Sequence, residues 1–187
     1  MKTQVLLCGV GGQGILFATR ILSEAALKLG YAVIGSETHG MSQRGGSVTS
    51  HLKIGGFHGP LIKRGGADFL FCFERGEIFQ NLTFLRAGGI GYVDAANAEF
   101  IPQKIRDLLE TQSIQLRCFD ASALALQLNA PLMLNLILIG FAAHFEDFPL
   151  KPDLLEEVVF QTTPPRFREL NLKAFQLGLQ SATIKAS

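Results

Sequence analysis

The chain has 187 residues, of which 48% are hydrophobic and 18% are charged, and its formal net charge at pH 7 is +1. This composition excludes a disordered chain and predicts one domain with a substantial core. Without a basic stripe or a block of like charge, we expect neither a nucleic-acid partner nor a charged tail. The low charge content and the positive mean hydropathy indicate that part of the surface is covered by a protein partner.

The cysteines are three in number, far apart and without a C-x-x-C pair: Cys8, Cys72 and Cys118. This pattern excludes a disulfide framework, a zinc ribbon and an iron–sulfur cluster held by this chain alone, because a cluster normally takes four thiolates. We therefore predict free thiols, no metal site and a cytoplasmic location. The apolar runs are too short for a signal peptide or for the ~20 residues of a membrane span, so we expect no membrane association.

The first segment of interest is a glycine-rich loop between a predicted strand at 5–7 and a helical pattern that starts at Ile15. Glycines spaced as G-x-G-x-x-G match the dinucleotide fingerprint, and the amides of the helix N-terminus favour anions. A P-loop is excluded because no Lys follows Gly14. The alternative is that the glycines only let the helix pack on the sheet. The predicted cofactor-binding residues here are Gly9, Gly11, Gly12, Gln13 and Gly14.

A second polar and glycine-rich loop, at 36–47, follows a predicted strand at 31–34. Because ligands bind outside the carboxyl ends of parallel strands, we expect both loops to form one site. Glu37 has the position of a ribose-binding acid, His39 is a candidate for proton transfer, and Arg44 offers a planar fork for a carboxylate or phosphate. Alternatively, Glu37 and Arg44 pair with each other or with a partner, and His39 is a loop hydrogen-bonder. The other cofactor-binding candidates are Gln43, Gly45 and Gly46.

The rest of the chain alternates between strand and helix patterns. Residues 48–54 predict a strand, and Gly55-Gly56 predicts its hairpin turn into a return arm at 57–62. Further strands are predicted at 67–73, 90–93 and 114–119, with helices between and after them. The sequence therefore predicts one α/β domain over 1–187. It is a doubly wound, Rossmann-like, mostly parallel sheet with helices on both faces and a β-hairpin insertion.

The two loops together resemble one enzyme family. Gly9–Gly14 reads G-V-G-G-Q-G, and His39–Gly46 reads H-G-M-S-Q-R-G-G. This combination is similar to the gamma subunit, or domain III, of 2-oxoacid:ferredoxin oxidoreductases, also called the pyruvate/ketoisovalerate oxidoreductase gamma-type catalytic domain. The second loop most resembles the small subunit of the indolepyruvate enzymes. The Asn171–Gly178 stretch is similar to the family's C-terminal pattern, so the resemblance spans nearly the whole chain.

The resemblance implies a subunit that is inactive alone. Enzymes of the family decarboxylate a 2-oxoacid with thiamine diphosphate and Mg, pass electrons through iron–sulfur clusters to ferredoxin, and form an acyl-CoA. This chain lacks a G-D-G thiamine-diphosphate motif and enough cysteines for clusters, so a larger partner is implied to carry them. The glycine loops would face that partner, near thiamine diphosphate or coenzyme A. The alternatives are a self-contained NAD(P)- or FAD-binding oxidoreductase and a structural interaction module.

Overall fold

A computed structural model describes residues 1–39 and 45–185, and within these residues one six-stranded sheet has the order β2-β3-β1-β4-β5-β6. The strands are Thr3–Val10 (β1), Val33–His39 (β2), Ser47–Ile54 (β3), Ala67–Cys72 (β4), Leu85–Asp94 (β5) and Gln115–Phe119 (β6). The pairs β1–β4, β4–β5 and β5–β6 are parallel, whereas β3 is antiparallel to both β1 and β2. The predicted α/β fold with a mostly parallel sheet is confirmed.

Helices cover both faces of this sheet. They are Ile15–Lys28 (α1), Ile78–Asn81 (α2), Gln103–Thr111 (α3), Ala121–Gln127 (α4), Leu134–Ala143 (α5), Pro152–Thr162 (α6) and Arg168–Lys185 (α7). Val5 and Leu7 of β1 pack in one hydrophobic cluster with α1, α5 and α7, whereas Leu6 and Cys8 pack in a second cluster with residues of α2 and α3. Because β1 is buried on both faces, it is apolar without alternation.

The predicted hairpin at 48–62 is wrong. The 48–54 segment belongs to β3, an interior strand that pairs with β1 and β2, and 57–62 forms no strand. Gly55 has a positive φ of 103°, and its amide donates to the Ala32 carbonyl at 2.7 Å. The glycine pair therefore ends β3 and turns the chain away from the sheet. The antiparallel partners of β3 are instead β1 and β2, which both precede it in the chain.

The second strand also differs from its prediction. β2 begins and ends later than the predicted 31–34, and β3 lies between it and β1. Pairing with β3 along Val33–His39 draws Ser36 to His39 into the strand, although they were predicted as loop. The unit from β1 through α1 to β2 keeps the two strands in the same direction, but they are not neighbours.

Helices α5 and α7 are in backbone contact. A Cβ on Gly140 would lie 2.1 Å from the Phe175 carbonyl oxygen, and one on Gly178 would lie 1.9 Å from the Ile137 carbonyl oxygen. Real Cβ atoms do not approach backbone this closely, so both glycines are required by packing. Because α5 is buried at every position, the contact fixes the helical layer on one face of the sheet.

A buried histidine anchors the long connection between β3 and β4. His51 is 5% exposed, and its Nδ1 accepts a hydrogen bond from the Ile62 amide at 3.1 Å. Burial, with a smaller contribution from the charge of Lys53, lowers the pKa of His51. The neutral ring is therefore the form that holds the connection.

We predict that Gly140→Ala and Gly178→Ala each lower the free energy of unfolding by at least about 2 kcal/mol, because the added methyl forces the two helix backbones apart. Urea unfolding followed by circular dichroism measures the change. Gly76→Ala is the control, since a Cβ there meets no atom within 4 Å. Equal stability of Gly140→Ala and Gly76→Ala would contradict the close contact.

We predict that stability falls as the pH drops below about 6.5, the ordinary histidine pKa. Below this pH, His51 binds a proton in the unfolded state, whereas folded His51, with its lowered pKa, stays neutral. The free energy of unfolding therefore rises with pH between the folded-state pKa and the unfolded-state pKa of His51. The His51→Gln variant keeps an acceptor for the Ile62 amide but does not titrate. Its urea unfolding should lose this part of the pH dependence, and an unchanged profile would exclude His51 as the cause.

Candidate functional site

The candidate site lies at the edge of the sheet where β1, β4, β5 and β6 end. The loop at 10–14 leaves β1 here, and β3 begins beside it, since Val10 pairs with Ser47. β2 also ends here, because His39 pairs with Val48. Both glycine-rich loops predicted from the sequence therefore meet at one edge of the sheet.

A backbone hydrogen bond joins the two loops. The Gly11 amide donates to the Gly46 carbonyl at 2.9 Å. Gly45, which precedes it, is exposed and has a φ of +77°. Ser47 Oγ donates to Glu77 Oε2 at 2.6 Å and fixes the start of β3. The predicted residues Gln43 and Arg44 lie outside the described residues.

Gln13 folds back over its own loop. Its Oε1 accepts from the Val10 amide at 2.9 Å, and its Nε2 donates to Glu74 Oε2 at 3.3 Å. A Cβ on Gly9 would lie 2.5 Å from that Oε1 and 3.2 Å from the Phe73 Cβ. The side chains of Gln13 and Phe73 therefore fill the space beside Gly9.

Asn135, at the start of α5, holds the other end of the loop. Its Nδ2 donates to the carbonyls of Gln13 at 3.2 Å and Gly14 at 3.1 Å, and its Oδ1 accepts from the Leu136 amide at 2.6 Å. The backbone partners expected for a buried amide are thus present. Gly14 is left-handed at φ +74°, and a Cβ there would lie 2.1 Å from Asn135 Nδ2.

The loop leaves open space beside Gly12, next to the N-terminus of α1. Gly12 has a φ of +103°, and a Cβ there would meet no atom within 4 Å. No side chain caps the N-terminus of α1, and its first turn contains no acidic residue. The partial positive charge of this helix end favours an anionic group nearby. The arrangement suits a carboxylate or phosphate presented from outside the chain.

Glu37 and His39 are not placed as a dinucleotide site requires. Both belong to β2, and β3 separates that strand from β1 and its glycine loop. Glu37 pairs with Ser50 of β3 and lines a groove of about 500 Å³ together with Arg20 of α1. Because β3 lies between them, Glu37 is not next to the first glycine loop as expected. His39 is the last residue of β2, at the edge of the sheet that carries both loops.

An acidic cleft of about 290 Å³ adjoins the loop and was not predicted as a site. The residues that line it lie at or just after the ends of β4, β5 and β6, and include Glu74, Arg75, Asp94, Asp120 and Ser122. Asp94 accepts from the amide of Ser122 at 2.9 Å and from its hydroxyl. Burial raises the pKa of Asp94, although both bonds from Ser122 oppose that shift. In the sequence, the one indication of this cleft is that an acidic residue lies near the end of each of three successive strands.

Asp120 also caps the N-terminus of α4. Its Oδ1 accepts from the Ala123 amide at 2.9 Å. Across residues 1–39 and 45–185, no group of three or more His, Cys, Asp or Glu side chains is arranged to hold a metal ion. The helices of the same residues include none with the length and hydropathy of a membrane span.

Comparison with known proteins identifies the family. The family described as pyruvate ferredoxin/flavodoxin oxidoreductase matches residues 4–181. The chain belongs to this family. A relative named indolepyruvate oxidoreductase subunit IorB from Pyrococcus horikoshii is 34% identical in an alignment of 194 positions, gaps included, that covers 95% of each chain. The 2-oxoglutarate synthase subunit KorC of Methanothermobacter marburgensis is 26% identical over 180 residues, again covering 95% of each.

Solved structures of family members share the fold. The keto/oxoacid ferredoxin oxidoreductase gamma subunit from Geobacter sulfurreducens superposes with a TM-score of 0.76 at 24% identity, covering 97% of this chain and 99% of that one. The 2-oxoglutarate:ferredoxin oxidoreductase from Magnetococcus marinus gives a TM-score of 0.77 at 19% identity. It covers 98% of this chain but 31% of its own length. The fold thus occurs both as a chain of this size and within a longer protein.

We predict that Asn135→Ala lowers the free energy of unfolding by about 2–3 kcal/mol, because two loop carbonyls and one helix amide lose their partner. It should also lower the backbone order parameters of Gly11, Gly12 and Gly14, measured by ¹⁵N relaxation. Asn97→Ala, at an exposed position, is the control. Unchanged order parameters in the Asn135 variant would exclude Asn135 as the support of the loop.

Proposed function

We propose that the chain is the small subunit of an indolepyruvate-type 2-oxoacid:ferredoxin oxidoreductase. The main support is its 31–34% identity, over nearly its full length, to four relatives named indolepyruvate oxidoreductase subunit IorB. Identity to the 2-oxoglutarate synthase relatives is lower, at 23–26%. The difference favours an aryl 2-oxoacid such as indolepyruvate as the substrate of the complex.

In the complex, this chain supplies a rim and the large subunit supplies the reactive groups. Thiamine diphosphate with Mg, iron–sulfur clusters and coenzyme A provide decarboxylation, electron transfer and acyl transfer on the partner. The rim consists of the loop 10–14, the residues 45–47 and the N-terminus of α1. Hydrogen bonds from within the chain already hold this loop, so docking costs little ordering entropy.

The rim orients an anionic group of the ligand at the subunit boundary. The open space beside Gly12 and the uncapped N-terminus of α1 favour a carboxylate or phosphate. Arg44 adds a guanidinium two residues before Gly46, whose carbonyl is tied to Gly11. We assign Arg44 to the binding of that anion, where a planar fork makes two hydrogen bonds. The free cysteines agree with a cytoplasmic enzyme.

The G-x-G-x-x-G spacing favours a second candidate, a self-contained NAD(P)- or FAD-binding oxidoreductase. Two features oppose it. Gln13 and Asn135 occupy the spaces that Gly9 and Gly14 leave, and the Glu74 carboxylate lies beside the loop, where it would repel a pyrophosphate. Calorimetric titration of the purified chain with NAD(P)H and FAD tests this candidate, and tight binding would support it.

We predict that Arg44→Ala lowers kcat/KM of the reconstituted complex for its 2-oxoacid or coenzyme A at least tenfold, which equals about 1.4 kcal/mol of transition-state binding. The assay follows the reduction of ferredoxin by the two subunits together. The loss arises because the anion lacks its guanidinium partner, while assembly persists.

Arg166→Ala is the matched control, because Arg166 is exposed and stacks on Phe167 near the start of α7. It should leave kcat/KM unchanged. Gel filtration verifies that both variants assemble. An Arg44→Ala complex with full activity would assign the chain a structural role only, and turnover by the small chain alone would contradict the proposal.

A further inference from the structure

The turn that follows β4 lies at the same edge of the sheet as the two glycine-rich loops. This segment, the β4 turn, comprises residues 74–77 and contains a short 3₁₀ helix at Arg75–Glu77. It carries two carboxylates, Glu74 and Glu77. Because β4 pairs with β1 and β1 pairs with β3, the turn stands beside the strand ends from which both loops start. Each carboxylate accepts a hydrogen bond from a side chain of one loop.

Glu74 holds the first loop through Gln13. Its Oε2 accepts from Gln13 Nε2 at 3.3 Å. The Oε1 of the same Gln13 side chain accepts from the Val10 amide at 2.9 Å. Because both ends of the side-chain amide are bonded, Gln13 has one defined orientation against the loop.

Glu77 holds the second loop through Ser47. Its Oε2 accepts from Ser47 Oγ at 2.6 Å, and a hydrogen bond to an ionised carboxylate is about twice as strong as one between neutral groups. Ser47 directly follows Gly46, whose carbonyl accepts from the Gly11 amide at 2.9 Å. A displacement of Ser47 would therefore be passed to the hydrogen bond that joins the two loops.

The β4 turn is itself anchored by buried side chains. Cys72 Sγ donates to the Glu74 carbonyl at 3.0 Å, and Asn81 Nδ2 donates to the Glu77 carbonyl at 2.8 Å. Both Cys72 and Asn81 are buried. Within the turn, the Glu77 amide donates to the Glu74 carbonyl at 2.9 Å. The turn is thus attached to the core at each end and can serve as a fixed support for the loops.

The charge of the two carboxylates opposes the binding of an anion. The N-terminus of α1 carries a partial positive charge that favours an anion, whereas Glu74 and Glu77 repel one. Their place beside the rim is therefore explained by the hydrogen bonds that they accept from Gln13 and Ser47, and not by contact with the anion.

We infer that Glu74 and Glu77 are positioning residues for the anionic group that the rim binds. They act through Gln13 and Ser47, which set the placement of the two loops relative to each other. The inference rests on the proposed function, which places an anionic group of a substrate at the rim. Because the reacting groups belong to the partner, a displaced loop weakens the binding of substrate and transition state alike, so KM rises while kcat persists.

The test is Glu77→Ala in the reconstituted complex, assayed by ferredoxin reduction with indolepyruvate and coenzyme A varied in turn. We expect KM for at least one of these two anionic substrates to rise about threefold to tenfold, the value of one net hydrogen bond. kcat should stay within about twofold of wild type. Glu77→Gln keeps an acceptor oxygen for Ser47 and should restore KM. A merely destabilised subunit would instead lower kcat through loss of assembled complex and leave KM unchanged.

A double-mutant cycle tests whether Glu77 acts through Ser47. Ser47→Ala should give the same rise in KM, and Ser47→Ala/Glu77→Ala should add nothing to it, because either change removes the same bond. The matched control is Glu110→Ala, which removes an exposed carboxylate from the last turn of α3. It should keep the wild-type KM for both substrates.

Hydrogen exchange of the small chain alone, followed by NMR, tests the support of the loops without any turnover. The Gly11 amide, which is bonded to the Gly46 carbonyl, should exchange about threefold faster or more in Glu77→Ala, while the amides of β5 keep their wild-type rates. An inactive wild-type complex would contradict the proposed function, and the exchange rate would still decide the positioning role.

Four outcomes would overturn the inference. Glu77→Ala leaves both KM values at wild type, Glu77→Gln shows the same defect as Glu77→Ala, the double variant raises KM beyond either single variant, or the Gly11 amide exchanges at the wild-type rate in Glu77→Ala.

Discussion

One backbone hydrogen bond, from the Gly11 amide to the Gly46 carbonyl, connects the two parts of the chain on which the function depends. It joins the turn after β1 to the start of β3, and so links the ends of two paired strands into a single rim. Asn135 supports the same rim from α5. The rim is therefore formed by groups of this chain alone, before any partner binds.

The G-x-G-x-x-G spacing, which binds dinucleotides in other proteins, has a different role in this chain. In a dinucleotide site, the glycines make room for a pyrophosphate. In this chain, Gly9 makes room for Gln13 and Gly14 makes room for Asn135. Hydrogen bonds from within the chain hold the loop, and a Cβ on Gly12 would meet open space. Such a surface suits a ligand held by another subunit better than one enclosed by this chain.

Local sequence patterns predicted much of the fold, because they reflect interactions between residues that are close in the chain. The strand predicted at 5–7 is part of β1, and β1 lies between two helical layers as the predicted fold requires. The pairing of β3 was not predictable in this way. A Gly-Gly pair after a strand can either turn the chain back into a hairpin or lead it away from the sheet. Which of the two occurs depends on the strand that pairs with β3, and this pairing is set by the whole sheet.

In the candidate site, too, the local features were predictable from the sequence and the long-range contacts were not. Both glycine loops and their convergence were predicted, since strand ends gather at one edge of a parallel sheet. Asn135 bonds loop carbonyls that lie more than 120 residues away in the chain, so its part in the site was not predictable from local sequence. Glu37 was misplaced because the order of β2 and β3 in the sheet is a long-range property.

Hydrogen–deuterium exchange of the small chain, alone and with its large partner subunit, tests the central claim most directly. We expect the partner to slow exchange of the backbone amides at 11–17 and 45–48, while exchange at 56–64 is unchanged. Slowed exchange confined to the other edge of the sheet or to α6 and α7, with the rim amides unaffected, would contradict it.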